Sequence, residues 1–327
     1  MPFSSAHLSQ VFSQITQAGL LILTLFTFSS TYAADLESGL TAYNAKDYKT
    51  ALQEWKQLAD QGDASAQHNI GVMYQKDLLG TQDYKQAVKW YTMAADQGDA
   101  SAQYNLGTMY GIGDRIDQDY KQAVKWYTMA ADQGFPSAQY NLAIMYDKGL
   151  GVTQDSKQAA KWYTMAADQG DAPAQYSIGV MYNEGQGVTQ NHGQAFKWFA
   201  MAADQGDASA QYNIGYMYEK GQGLTQNHKQ ALKWYTMAAD QGLAVAQYNL
   251  GTMHYSGEGV DQDYKQAFKW YAMAADQGYV DAQYNLAVMY RNGHGVTKNY
   301  VMSRMWQSIV VSKEALQKIT DWISSPQ

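Results

Sequence analysis

Apolar residues in this chain recur at helical spacing inside a longer, constant period. Between residues 102 and 137, Ala102, Leu106 and Met109 mark the apolar face of one helix, and Trp126 and Ala130 mark that of a second. The period is 36 residues, and it is marked by evenly spaced tryptophans: Trp90, Trp126, Trp162, Trp198, Trp234, Trp270 and Trp306. Trp55 precedes the first of them by 35 residues. A repeat of this length predicts a tandem array of helix pairs.

The boundaries of the second helix in each pair are marked by polar residues and glycine. Asp119 offers a carboxylate as N-cap just before the apolar positions begin. Gly134 can take the left-handed conformation that ends a helix. Because one pair cannot bury its own apolar stripe, neighbouring pairs must stack on each other. The pattern therefore predicts an all-α solenoid of tandem helix-turn-helix repeats.

One copy shows the repeat pattern especially well. Residues 138–170 carry, in order, Ala138, Leu142, Ala143 in place of a glycine, Tyr146, Gly149, Gly151, Val152, Ala159, Trp162, Tyr163, Ala166, Ala167 and Gly170. This pattern resembles the Sel-1-like repeat family, a longer-looped relative of the tetratricopeptide repeat, over roughly residues 36 to 310. The resemblance implies a right-handed superhelix. The chain departs from the family at two loops, with Asp77, Leu79 and Arg115 at glycine positions, and at His254, where a tyrosine is usual.

The two ends of the chain differ from the repeats. Residues 1–33 hold an uncharged run, Leu20 to Phe28, followed by small residues. This layout predicts a secretory signal peptide cleaved near Ala33/Ala34, a periplasmic or secreted mature protein, and no stable membrane span after cleavage. An uncleaved anchor and an extension without a role are the alternatives.

The remaining boundaries follow from the repeat period. Residues 34–65 are predicted to form an N-terminal, tetratricopeptide-like capping repeat, and residues 66–309 seven 36-residue repeats, of which the last is divergent. Residues 310–327 are predicted to form a C-terminal capping helix, because apolar residues between 312 and 324 share one helical face. A partner-binding helix is the alternative for this segment.

Two rows of equivalent residues are candidates for contacting a ligand. In related repeats the first helix of each pair lines the concave surface, which implies a groove there. One position forms a tyrosine ladder that begins with His68 and continues as Tyr104, Tyr140, Tyr176, Tyr212, Tyr248 and Tyr284. The next position forms an asparagine ladder, which begins with Asn69, is interrupted by Ser177, and otherwise consists of Asn105, Asn141, Asn213, Asn249 and Asn285. Tyrosine offers flat apolar area with a hydroxyl, and asparagine can hydrogen-bond an extended backbone. Alternatively, both ladders only pack neighbouring repeats together.

One further position on the first helix varies between copies. It is occupied in turn by Val72, Thr108, Ile144, Val180, Tyr216, Thr252 and Val288. Variation of this kind would supply specificity for one partner, or it reflects neutral drift at an exposed position.

The composition argues against several other classes of function. The net charge of −7 disfavours nucleic-acid binding, and the chain has no cysteine for disulfides or metal ligation. The motifs H-E-x-x-H, G-x-S-x-G, S-x-x-K and G-x-x-x-x-G-K-[ST] are missing, so no catalytic residue, cofactor or metal is predicted. His192 and His228 lie one repeat apart, too far to share one ion. Lysines such as Lys121 and Lys125 form a stripe that is expected to face solvent.

The sequence therefore predicts a non-enzymatic protein–protein interaction scaffold of the bacterial cell envelope or secretome, with a protein partner held in the groove. Two alternatives remain. Tyrosine ladders can stack on sugar rings, which would suit a peptidoglycan-binding protein. Some cysteine-rich relatives are linked to β-lactam hydrolysis, but this chain lacks the cysteines on which they rely.

Overall fold

The computed structural model describes residues 36–80, 83–113 and 115–310. These ranges contain helices, turns and loops but no strand. The predicted signal peptide, residues 1–33, lies outside the described residues, and so does the predicted terminal helix, apart from Val310. The chain divides into two compact units, one ending at Gln154 and the other beginning at Asp155.

The helices alternate between the first and the second member of each repeat, named here A helices (odd numbers) and B helices (even numbers). Residues 36–44 belong to α1 and residues 300–310 to α16. Between them lie α2 Tyr48–Asp60, α3 Ala64–Gln75, α4 Tyr84–Asp96, α5 Ala100–Ile112, α6 Tyr120–Asp132, α7 Pro136–Lys148, α8 Ser156–Asp168, α9 Ala172–Glu184, α10 His192–Asp204, α11 Ala208–Lys220, α12 His228–Asp240, α13 Ala244–Ser256, α14 Tyr264–Asp276 and α15 Val280–Asn292. Each unit is thus an all-α stack of tandem helix pairs, the solenoid architecture that the sequence predicts.

The ends of the B helices confirm the boundaries expected from the sequence. The Asp119 side chain accepts hydrogen bonds from the backbone N–H groups of Lys121 and Gln122, which makes it the N-cap of α6. Gly134 follows the C-cap with φ +87°, the left-handed conformation that glycine adopts without strain. The A helices end in the same way, for example at Gly113, which is left-handed with φ +69°.

The core consists of layers that repeat along each unit. One layer joins α4, through Ala87 and Ala94, to α5, through Leu106 and Met109, and is closed by Trp126 from the following B helix. The same arrangement places Trp234, Trp270 and Trp306 against the layers that precede them in the second unit. These tryptophans therefore tie their own repeats to the ones before, a role that fits their strict period.

A close approach between helices sets the place of a second aromatic residue. A Cβ atom on Gly107 would lie 2.6 Å from Cδ1 of Tyr127, so the glycine admits the tyrosine ring against the backbone of α5. A Cβ on Gly39 would likewise meet the ring of Trp55. Trp55 thus fills the slot that Tyr127 fills in a later repeat, and it is not an early member of the tryptophan row. This difference explains its spacing of 35 residues instead of 36.

A row of buried glutamines links successive helices, and the sequence did not suggest it. Gln103 is 1% exposed, its Nε2 donates to the carbonyl of Ala95 in α4 at 3.0 Å, and its Oε1 accepts from Gln133 at the end of α6 at 2.8 Å. Equivalent bonds to the preceding carbonyl are made by Gln67, Gln139, Gln175, Gln211, Gln247 and Gln283. A buried amide that is hydrogen-bonded on both sides fixes the register of three helices.

In the first two loops, two of the residues that replace glycine still have a left-handed backbone conformation. Asp77 has φ +56° and Arg115 has φ +72°, close to the +69° and +71° of Gly149 and Gly151 in the next loop. The Arg115 guanidinium lies 5.7 Å from the centre of the Tyr84 ring, a cation–π contact. These side chains accept a conformation that usually requires glycine.

Candidate partner-binding surface

Both predicted ladders lie on the half-exposed side of the A helices, called here the ladder face. Four tyrosines of the ladder, and His68 at its start, pack on the aromatic residue of the B helix in the same repeat. The ring centres are 5.9 Å apart for Tyr104 and Tyr127, and 5.7 Å apart for Tyr248 and Tyr271. Further pairs of this kind are His68–Tyr91, Tyr176–Phe199 and Tyr212–Tyr235. Tyr140 is half-buried, whereas Tyr284 in the last repeat is 57% exposed.

From Asn105 onwards, the asparagines of the ladder contact residues of the repeat before them. Nδ2 of Asn105 lies 3.1 Å from Nε2 of His68. Asn249 is a hydrogen-bonding neighbour of the hydroxyls of Tyr212 and Tyr235. Asn141, Asn213 and Asn285 stand in the same relation to Tyr127, Tyr176 and Tyr271. Both ladders therefore have packing roles, and each asparagine remains partly exposed on the ladder face.

The variable position of the A helices carries its largest side chain in α11. The Tyr216 ring lies 6.5 Å from that of Tyr212, and the Lys220 ammonium lies 5.7 Å from the Tyr216 ring. Lys220 also pairs with Glu219 at 2.5 Å. The other Glu219 oxygen accepts a hydrogen bond of 2.7 Å from Tyr235. Burial, followed by the interaction with this carboxylate, raises the pKa of Tyr235 well above its ordinary value of 10.

Among the A helices from α3 to α15, three lack the capping carboxylate that the other four possess. Asp63, Asp99, Asp171 and Asp207 each accept a backbone N–H bond at the N-cap. The equivalent residues in α7, α13 and α15 are Phe135, Leu243 and Tyr279, and they make no side-chain capping bond. Replacing such a cap costs about 1 kcal/mol. Sequence reasoning missed these positions, although aligning the copies reveals three apolar residues in a column of aspartates.

The substituted caps bring aromatic or apolar side chains onto the ladder face. The ring of Tyr279 lies 5.1 Å from that of Tyr248, and Phe135 lies 5.2 Å from Tyr104. Leu243 packs in the layer that also contains Tyr212 and Tyr216. In the second unit these residues form a tyrosine cluster, defined here as Tyr212, Tyr216, Tyr248 and Tyr279 with Leu243.

Electrostatic effects tie the members of the tyrosine cluster to each other. Burial raises the pKa of the Tyr212 hydroxyl, and the nearby Tyr279 acts in the same direction. Burial is also the main reason why the pKa of Tyr279 is raised, followed by Asp281. These hydroxyls therefore stay protonated and act as neutral hydrogen-bond donors at physiological pH.

In the described part of the chain, no group of three or more potential ligands is placed to hold a metal ion. None of the helices in the described ranges combines the length and hydropathy needed to cross a bilayer. The lysines expected to face solvent do so, and Lys125 lies over the Trp126 ring at 4.3 Å.

Comparison with known proteins agrees with this architecture. The profile of the Sel1 repeat matches residues 64–99, 100–135, 136–171, 172–207, 208–243, 244–279 and 280–306. No match was found among curated proteins.

Two solved structures are especially similar. One is c5321, a protective antigen present in uropathogenic Escherichia coli strains that displays an SLR fold. It has 38% identity and a TM-score of 0.76, and the alignment covers 80% of this chain and 56% of that one. The other is a Sel1 repeat protein from Oxalobacter formigenes, with 30% identity and a TM-score of 0.70 over 93% and 91% of the two chains. The chain thus spans little more than half the length of c5321.

Sel1 repeat proteins generally serve as protein-interaction scaffolds. The matched repeats extend over more than half of the sequence, and both neighbours share its helical repeats. The chain therefore belongs to the Sel1 repeat family.

Proposed function

We propose that this protein is a non-catalytic scaffold of the bacterial cell envelope or secretome that binds a segment of a partner protein on the ladder face. The binding is centred on the tyrosine cluster of the second unit. The proposal is supported first by the family, whose members generally act as interaction scaffolds. The envelope or secreted location is supported by the apolar run from Leu20 to Phe28.

The observation that carries the proposal is the loss of three N-caps. Leu243 and Tyr279 are the N-cap residues of α13 and α15, and the equivalent residue of α11, Asp207, accepts a backbone hydrogen bond. The free energy of unfolding is therefore lower by about 1 kcal/mol at each of the two positions. These two residues add apolar and aromatic area beside Tyr212 and Tyr248. Half-exposed tyrosines with few flexible torsions are well suited to a recognition surface.

The chemistry of the cluster indicates what kind of segment would fit. Tyrosine rings offer flat contacts to apolar or aromatic side chains, and their protonated hydroxyls donate hydrogen bonds. Asn249 supplies an amide that can pair with an extended backbone, as expected of the asparagine ladder. Glu219 and Lys220 carry opposite charges at the edge of the cluster and would orient the partner.

The test exploits a substitution that restores the cap. Tyr279→Asp and Leu243→Asp recreate the carboxylate present in the other A helices, so stability is expected to be unchanged or higher. The matched control is Lys233→Ala on the exposed side of α12. Purified variants are crosslinked to an envelope extract, and the captured proteins are identified by mass spectrometry.

We expect the wild type and Lys233→Ala to capture the same protein, and both cap-restoring variants to lose it while their melting temperature stays the same or rises. Equal capture by all four proteins would contradict a binding role for the cluster. Sedimentation of the wild type with purified peptidoglycan would instead favour a glycan-binding protein. N-terminal sequencing of the protein from its host tests the location, because a mature terminus near Ala34 is expected.

A further inference from the structure

The exposed side of the B helices carries a regular row of methionines. They occupy one equivalent position in six successive repeats, four residues after a lysine and three before an aspartate on the solvated side of the helix. Their exposed fractions are 37, 37, 37, 45, 38 and 38% for Met93, Met129, Met165, Met201, Met237 and Met273. This outer methionine row lies apart from the ladder face, and the proposed binding function does not use it.

The fold does not require a methionine at this position. In the first helix pair the equivalent residue of α2 is Gln57, which is exposed and polar. The equivalence follows from the sequence Ala59-Asp60-Gln61-Gly62, which matches Ala95-Asp96-Gln97-Gly98 with a shift of 36 residues. A polar side chain at the surface of a B helix is thus compatible with this repeat.

A second methionine in every repeat lies in the core instead. These A-helix methionines are between 0 and 5% exposed: Met73, Met109, Met145, Met181, Met217, Met253 and Met289. Oxidation would convert such a flexible apolar side chain into a polar one and disrupt the core. Six successive repeats therefore pair a protected thioether with one that is open to solvent, whereas the last repeat has Ile309 at the outer position.

We propose that the outer methionine row is a modification site, at which the folded chain reacts with hydrogen peroxide and related two-electron oxidants to give methionine sulfoxide without unfolding. The thioether sulfur attacks one peroxide oxygen, an S–O bond forms and the O–O bond breaks. The departing hydroxide takes up the proton left on the transferred oxygen and leaves as water. The sulfur loses two electrons and the peroxide gains them, so each residue consumes one equivalent of oxidant.

The polar surroundings of the row explain why its oxidation is tolerated. The lysine four residues before each methionine lies on the same side of the helix, one turn away, where its ammonium can interact with the sulfoxide oxygen. Gln57 already places an amide oxygen at the equivalent position of α2. The oxidised methionines then resemble Gln57 in polarity, while the buried methionines remain reduced.

The sequence allows an internally controlled test. Cleavage after lysine and arginine leaves each outer methionine on the same peptide as the buried methionine of the next repeat, as with Met129 and Met145 on residues 126–148. The folded full chain is treated with graded hydrogen peroxide, and fragment-ion mass spectrometry locates each added oxygen atom. We expect the outer residue of every pair to oxidise at least about tenfold faster than the buried one. The helical circular dichroism signal and melting temperature should stay unchanged.

Two controls make the result decisive. In concentrated urea both methionines of a pair should oxidise at similar rates, because the difference arises from burial. Met237→Gln should remove one equivalent of fast peroxide consumption and leave the other five outer residues unaffected. Similar rates within the folded chain, a preference that persists in urea, or loss of helix as the outer row oxidises would each overturn the proposal.

Discussion

The buried glutamine row makes a quantitative prediction about how repeats are coupled. Gln247 is 1% exposed, its Nε2 donates to the Ala239 carbonyl at 3.2 Å, and its Oε1 accepts from Gln277 at 2.8 Å. Gln247→Leu removes both bonds at similar side-chain volume. The Ala239 carbonyl keeps a bond from the Gly242 N–H at 2.9 Å, and the exposed Gln277 can turn to water. Because neither former partner is left buried without a hydrogen bond, losing the two bonds should lower the free energy of unfolding by about 1–3 kcal/mol.

The second member of the pair behaves differently when it is removed alone. Gln277→Leu leaves Oε1 of Gln247 buried without its donor, and an unsatisfied buried acceptor costs about 1–3 kcal/mol. In the double variant this acceptor no longer exists, so its penalty disappears. The double variant should therefore be about as stable as Gln247→Leu alone, and the coupling energy should be about 1–3 kcal/mol.

Urea unfolding followed by helical circular dichroism measures all four proteins, with the denaturant slope compared to check that the transition keeps its cooperativity. The matched control combines Gln247→Leu with Gln205→Leu, since Gln205 is bonded to Gln175 instead. That pair should be additive within about 0.5 kcal/mol. If Gln247→Leu and Gln277→Leu are also additive, the glutamine row is not the link between repeats that its geometry indicates.

Three further predictions concern single positions. In α5, Gly107→Ala should lose about 1–3 kcal/mol because the new methyl would meet the Tyr127 ring at 2.6 Å. Gly111→Ala, whose methyl meets only ordinary contacts of 3.6 Å or more, should gain about 0.5–1 kcal/mol, and chemical denaturation compares the two. Burial lowers the pKa of His254 below its ordinary value of 6.5, so the stability it supports is present above pH 6.5 and is lost as the pH falls towards the folded pKa. His254→Tyr should flatten this loss in melting curves between pH 7 and 5, and an unchanged slope would contradict the assignment. Leu243→Asp should raise stability by about 1 kcal/mol through its restored cap, and a loss would show that the packing of Leu243 outweighs the cap.

The parts of the fold that sequence reasoning predicted are those fixed by local physics. Asp119 and Gly134 mark the ends of α6 because capping depends on neighbouring backbone groups alone. The helix pairs and their stacking follow from apolar positions that no single pair can bury. Both ladders were also located correctly on the A helices. Whether they bind a partner stays a prediction, since their tyrosines and asparagines contact neighbouring repeats as well.

The features that sequence reasoning missed depend on contacts between distant residues. Trp55 has the residue type of the tryptophan row, but its position follows from the space over Gly39, which only the helix packing reveals. Gln103 looks like any polar residue of an amphipathic helix, and its burial becomes visible only when Ala95 and Gln133 are brought to it. A constant spacing between repeats therefore predicts that a residue has a structural role, but it does not identify the residues that it contacts.

The same comparison explains why departures from the repeat are more informative about binding than the repeated residues. A residue kept in most copies has a packing role, as Asn249 does beside Tyr212 and Tyr235. Tyr279 also packs on the Tyr248 ring, but it departs from the aspartate that would cap its helix and favour folding. The proposed partner binding would account for a side chain that removes a cap and adds area to a half-exposed aromatic cluster, since the apolar area left exposed in the free protein would be buried in the complex.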